Sequence, residues 1–360
     1  MQNAQFKARR DRARELMLQN GMAALLIGLP ANRYYLSGFE LHDPQPNESS
    51  GYLAIFEDGE DMLFTDSRYL EAARRLWKDS NIHIYRTLSA APGEINQRIK
   101  ERAGKSAKVG FESRLMSVAF HREFCPGLDL VAADGLVEKL RLIKDAAEIE
   151  LMRKSAQLNH QLMNHVPSLL NPGRTEAQIA LEIEQFFRNN GASGNAFEPI
   201  VAVGPNAALP HAIPGNSQIV QECSVLVDVG ARLADYNSDQ TRSFWVGEHP
   251  ARYFTVALEQ IQEAQRRSIA AIKPGAICAD VYHAAYNYLA DCGAAEHFTH
   301  GLGHGVGLET HEAPSLSPRN PQPLAPGMIV TVEPGLYYPE WGGVRWEYMV
   351  LVTENGCEIL

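Results

Sequence analysis

Apolar and polar positions along the chain follow two periods, and the places where the period changes mark its elements. Phe6 to Gln19 carries apolar positions at helical spacing, and Asn20-Gly21 ends that helix. Met22 to Leu29 is a short apolar run between turn residues, the pattern of a buried strand, and Asn32 to Phe39 follows it. Gly51–Phe56 and Asp61–Thr65, joined by Glu57-Asp58-Gly59-Glu60, predict a hairpin. A helix is predicted over Ser67–Trp77. Further strands are predicted at His83–Tyr85, Val109–Phe111 and Leu128–Ala132, with helices between them. Strands alternating with helices indicate an α/β domain over residues 1–135.

Beyond it the pattern changes. Leu136 to Met163 reads as one long charged helix, and the domain boundary is placed at its start. A helix over Glu176–Asn189 leads into the loop Asn189–Gly194. Strand-like runs follow at Ile200–Val203, Val225–Val229, Ser243–Val246, Met328–Val332 and Tyr348–Val352. The helices Tyr253–Ile272 and Ile277–Cys292 separate the first three from the last two. This predicts an α+β domain over 136–360 with a largely antiparallel sheet. One echo stands out within it. Val225-Leu226-Val227-Asp228-Val229-Gly230 resembles Ile329-Val330-Thr331-Val332-Glu333-Pro334-Gly335. In both, an apolar strand carries an acid just before a glycine turn. A second strand with its own acid follows each, Asp239 after the first and Glu347 after the second.

Length and composition agree with this division, since single cores rarely grow past about 250–300 residues and the chain has 360. A net charge of −10 argues against nucleic acid or an anionic membrane surface as partner, because both attract excess Lys and Arg. The stretch Met1–Gly21 has no apolar core of the signal-peptide kind and reads as an amphipathic helix. The five cysteines are scattered without a C-x-x-C pair, which fits free thiols in a reducing compartment. A soluble cytoplasmic protein is expected.

The candidate chemistry centres on His300 to Glu312, where three histidines and four glycines fall in thirteen residues. Glycine at that density marks backbone that turns sharply or passes close to something, and imidazole is a common metal ligand and proton carrier. Asp228 and Glu333 sit in apolar strands, where an ionised carboxylate without a partner is costly. Each acid alone has an ordinary reading. Asp228 could cap the Gly230 turn, Asp239 could pair with Arg242, and Glu347 could pair with Arg345. Four carboxylates on buried strands, however, require neutralising cations. With His304 they form an oxygen-rich set suited to divalent ions such as Mn²⁺, Co²⁺ or Zn²⁺. His311 reads as a proton donor or oxyanion stabiliser, His300 as a supporting or core residue, and His211 as a loop histidine in Leu209–Asn216. His160 and His165 are explained as solvated helix positions.

These residues resemble the Xaa-Pro peptidases of the aminopeptidase P and prolidase group, the pita-bread metallopeptidases. The family's Asp-x-Gly-Ala and Tyr-x-Ser-Asp-x-Thr-Arg appear as Asp228–Ala231 and Tyr236–Arg242. Its Gly-His-Gly-Val-Gly is Gly303–Gly307, its Val-Glu-Pro-Gly is Val332–Gly335, and its Gly-Val-Arg-x-Glu is Gly343–Glu347. Asn32–Phe39 is the clearest piece of a creatinase-like N-terminal domain. The resemblance implies an α/β N-terminal domain plus an α+β pita-bread catalytic domain. It also implies a centre of two divalent metal ions, Mn²⁺ foremost, held by Asp228, Asp239, His304, Glu333 and Glu347. Asp239 and Glu347 would bridge the ions, and Asp228 would complete one shell. His304 and Glu333 would serve the other, with Glu333 taking the proton of the attacking water. His211 and His311 would stabilise the tetrahedral intermediate and position the substrate, Arg345 would orient the carboxylates, and Phe197 would line the pocket. Short proline-containing peptides as substrates and a homodimer are further implications.

Two departures bear on activity. Trp346 and Tyr348 flank Glu347 in place of the family's usual Ile and Asp. Ser315 stands after His311-Glu312-Ala313-Pro314, where some prolidases carry an arginine that holds the substrate's terminal carboxylate. The second departure tilts the expectation toward an Xaa-Pro aminopeptidase, with the dipeptidase as the alternative. A creatinase-like amidinohydrolase and a non-catalytic binding module of the same fold would both lose metal positions, and all five are present. Methionine aminopeptidases generally lack an N-terminal domain of this kind.

Overall fold

The computed structural model describes residues 2–45 and 48–360; Met1, Pro46 and Asn47 lie outside the description. The chain divides into two compact units, Met1–Arg141 and Leu142–Leu360. The division falls a few residues past the expected boundary at 135/136 because the helix Leu136–Arg141 belongs to the first unit. There Arg141 Nη1 donates to Asn32 Oδ1 at 2.8 Å. The long helix predicted over Leu136–Met163 is correspondingly two helices, Leu136–Arg141 and Ala146–Leu169. Asp145 breaks the run: its carboxylate caps the amides of Ala147 and Glu148, and Glu148 returns a bond to the Asp145 amide. A capping box of this kind starts a helix afresh.

The first unit is α/β, with a six-stranded mixed sheet. Ala24–Ile27 lies at its centre, antiparallel to Gly51–Phe56 and parallel to Lys108–Phe111. Leu26, Phe56, Phe64, Val109 and Phe124 pack one core. Asn32–Phe39 lies mostly in a helix, Pro30–Ser37, ended by left-handed Gly38. Its Arg33 is fully buried and bonds the carbonyls of Gly51 (2.7 Å) and Glu40 (2.6 Å) and the carboxylate of Asp43 (2.9 Å). The motif's role here is structural. Arg33→Met should destabilise the first unit by about 3 kcal/mol, because it strips a buried network of its cation. Denaturant unfolding of the whole chain should show an earlier first transition, and an unchanged one would refute the assignment.

The second unit is α+β and repeats one arrangement twice. Helices Ala146–Leu169 and Glu176–Asn189 cover a three-stranded antiparallel sheet of Ile200–Val203, Cys223–Val229 and Gln240–Val246. Helices Arg252–Ala271 and Cys278–Asp291 cover a five-stranded sheet that includes Ile329–Val332 and Tyr348–Thr353. Val225, Val227 and Val229 face the first helix pair, and Val330, Val332, Val350 and Val352 face the second. Burying each such side chain contributes about 1.5–3 kcal/mol. Side chains alternate along a strand, so Asp228, Thr331, Glu333 and Glu347 are directed to the opposite faces. All five cysteines are free thiols. No helix among the described residues is long and apolar enough to cross a membrane.

Candidate metal centre

The faces turned away from the helices border a cavity of about 480 Å³ lined by Asp228, Asp239, His304, Glu333 and Glu347. His211, His311, Phe197 and Arg345 also line it, so every site residue singled out in the sequence reaches one place. Strand register does much of this. Thr241 pairs with Asp228, which brings Asp239, two residues earlier, to the same end of the sheet. Val332 pairs with Tyr348, so Glu333 and Glu347 flank the last rung of the other sheet.

The glycines around His304 serve close approach. A Cβ on Gly303 would collide with the Thr331 carbonyl, and one on Gly305 with the Ala313 carbonyl. His304 sits between them, with its amide bonded to Thr331 Oγ1 at 3.0 Å. Its Nε2 lies 3.2 Å from Glu333 Oε1 and 3.7 Å from Asp239 Oδ2. Ligand atoms of Asp239, His304 and Glu347 all lie within 4.8 Å of one another. Asp228 and Glu333 stand beside this trio, the first held by Arg345 and the second by His304.

Arg345 is the single Arg or Lys among the described lining residues. It donates to Asp228 Oδ2 at 2.7 Å, Thr241 Oγ1 at 3.2 Å and the Tyr337 hydroxyl at 2.8 Å. Thr241 Oγ1 in turn donates to Glu347 Oε2 at 2.7 Å, and Tyr337 reaches His300 Nε2 at 2.8 Å. Arg345 therefore bonds Asp228 rather than Glu347. Arg242 lies 4.2 Å from the Trp346 and Tyr348 ring centroids and donates to the Glu347 carbonyl at 2.6 Å. The ordinary readings of Asp239 and Glu347 as partners of their neighbouring arginines thus give way. His300 bonds Tyr337, which fits the supporting role. Tyr337 and Thr331 were not singled out in the sequence, since neither a tyrosine after a Pro-Gly turn nor a threonine in a strand carries a distinctive signal.

The charge balance tests whether cations fit. Burial, and then the neighbouring Glu347, pushes the Asp239 carboxyl well above its ordinary range. Burial, and then Glu333, does the same to Glu347. Burial also raises Asp228, although Arg345 opposes it. Glu333 is half-buried, which acts to raise it, but the bond and charge of His304 hold it down at about 2. Asp228 Oδ1 is buried without a hydrogen-bond partner among the described residues. Four carboxylates against one guanidinium and the His304 imidazole leave the cluster short of positive charge and one oxygen unsatisfied. That is the donor set of a divalent-cation site.

The sequence model of metallopeptidase family M24 matches residues 150–354, and that of the creatinase/prolidase N-terminal domain matches residues 9–143. The chain belongs to metallopeptidase family M24. It is 32% identical over 352 residues to an Xaa-Pro dipeptidase of Pyrococcus horikoshii, covering 96% of this chain and 94% of that one. Its fold matches the Xaa-Pro dipeptidase from Bacillus anthracis with a TM-score of 0.90 at 33% identity, covering 98% and 97% of the two chains. It also matches the X-Pro aminopeptidase from Thermotoga maritima with a TM-score of 0.87 at 29% identity, covering 97% and 96%. Membership in M24 makes the chain a metal-dependent hydrolase.

Proposed function

We propose that this M24 chain is an Xaa-Pro dipeptidase of the prolidase type working with two divalent ions, Mn²⁺ foremost and Co²⁺ or Zn²⁺ as alternatives. The observation that carries it is the convergence of Asp239, His304 and Glu347 in the 480 Å³ cavity of a chain similar over nearly its whole length to such dipeptidases. Asp228, Asp239, His304, Glu333 and Glu347 would hold the metal. Bound there, it supplies Lewis acidity and a more acidic water. Glu333, ionised beside His304, accepts the proton of the attacking water. His211 and His311 line the same cavity and offer ring N–H groups to the developing oxyanion. Arg345 orients Asp228 and, through Thr241, Glu347. Phe197 supplies an apolar wall for the substrate.

The dipeptidase reading reverses the preference drawn from Ser315, because relatives named as dipeptidases match the chain throughout. The aminopeptidase remains the second reading on one specific observation. Ser315 is the cross-strand partner of His304, and its hydroxyl faces Ser317 at 3.2 Å. A serine there offers no cation to a dipeptide's terminal carboxylate, so that contact would fall to His211 or His311. Metal-stripped protein reloaded with Mn²⁺, Co²⁺ or Zn²⁺ should cleave Ala-Pro at least ~10-fold faster in kcat/KM than Ala-Pro-Ala, a discrimination of the size that one hydrogen bond to a carboxylate supplies. The opposite preference would establish the aminopeptidase. Failure on both peptides with every metal would remove proline specificity altogether.

A further inference from the structure

We infer that Lys144 is a positioning residue for His311, acting through Glu312. This rests on the reading above that His311 acts on the substrate. Lys144 lies in the short break before the helix Ala146–Leu169, where its amide donates to the Gly327 carbonyl at 2.9 Å. Gly327 has a left-handed φ of +86°, and a Cβ there would press on Ile143 and the Lys144 carbonyl, so the segment is closely seated.

The Lys144 side chain is 2% exposed and its Nζ makes no hydrogen bond among the described residues. Its ion pair is with Glu312, whose side chain is 6% exposed and whose Oε2 lies 3.6 Å away. An ammonium in such a place costs stability, and an apolar side chain of similar length would fill the volume more favourably. The pair has a use beyond packing. Glu312 Oε1 accepts the Glu309 amide at 3.1 Å and closes the turn that carries Thr310 and His311. Gly307 braces the same turn, its amide bonded to the Glu309 carbonyl at 3.0 Å and its carbonyl to the Asn237 amide at 2.9 Å. His311, held in that turn, sets its ring edge-on to His304 with centroids 4.3 Å apart. Lys144 keeps a carboxylate in place behind the turn, and the turn aims the imidazole.

The test is a double-mutant cycle on the metal-loaded full chain, with Ala-Pro as substrate and amide hydrogen exchange as a second readout. Lys144→Met should lower kcat/KM by ~10-fold or more, with metal content little changed, since small misplacements of a reacting group cost on this scale. In the His311→Ala background the same substitution should cost less than ~2-fold, because the group it positions is gone. Exchange at the Glu309 amide should accelerate by ~10-fold while the strand Cys223–Val229 stays protected. Equal losses in both backgrounds, or unchanged exchange at Glu309, would overturn the inference. Should Lys144→Met fail to fold, Glu312→Gln takes its place. It keeps an oxygen for the Glu309 amide but removes the charge, and it should show the same dependence on His311; losses independent of His311 would again overturn the inference. Wild-type protein inactive on Ala-Pro would refute the functional reading, while the exchange measurement would still decide the positioning.

Discussion

Asp239→Ala should reduce kcat/KM by on the order of 10⁴-fold, the loss typical when a member of a cooperating catalytic set is removed. Asp239 is buried, lies 3.7 Å from His304 and belongs to the trio whose ligand atoms sit within 4.8 Å. Bound metal should fall with activity, measured by elemental analysis after dialysis against a weak chelator. The same substitution should leave the metal-stripped protein at least as stable as wild type. It removes one of four clustered carboxylates that Arg345 and His304 offset only in part, so folding no longer carries that repulsion. Thermal unfolding with and without Mn²⁺ separates the two effects: the metal should raise the Tm of wild type and leave that of the variant nearly unmoved, because stabilisation by a ligand follows its affinity. Retained metal and activity would eliminate Asp239 as a ligand.

Arg345→Met should act in the opposite sense on stability. The guanidinium is buried and donates to Asp228, Thr241 and Tyr337 at once. Removing it leaves Asp228 without its countercharge, which should cost about 3–5 kcal/mol in the metal-stripped protein. Saturating metal should recover much of that loss by neutralising the same carboxylate. Metal affinity itself should weaken ~10–100-fold, the usual effect of losing a group that orients a ligand. Denaturant titration at several metal concentrations checks both expectations. A variant equally stable in the absence of metal would mean that Asp228 is compensated by some other group.

Asp228 and Glu333 were visible in the sequence because their strands are otherwise apolar. A carboxylate in Val225–Val229 or just after Ile329–Val332 needs a reason, and alternation along a strand already puts it opposite the valines. The glycines of Gly303–Gly307 were visible for a related reason, and their close approach to Thr331 and Ala313 accounts for them. The break at 142–145 went unpredicted, although its signal, Asp145 three residues before Glu148, stood in the chain. Helical periodicity continues across it and hides the cap. The aminopeptidase preference leaned on Ser315 alone, a single position whose effect depends on what else reaches the substrate.

What the sequence determined by itself was the α/β and α+β division, the family motifs, and the list of acids and histidines. These depend on local period and residue type, which adjacent residues carry. Which groups meet was decided only in three dimensions. Arg345 bonds Asp228, more than a hundred residues away, rather than Glu347 two residues on. Tyr337 links Arg345 to His300, and Lys144 reaches Glu312. Such partners are set by the pairing register of distant strands and by how two helix-covered sheets close on one cavity. Those are long-range outcomes of packing that no local stretch of chain specifies.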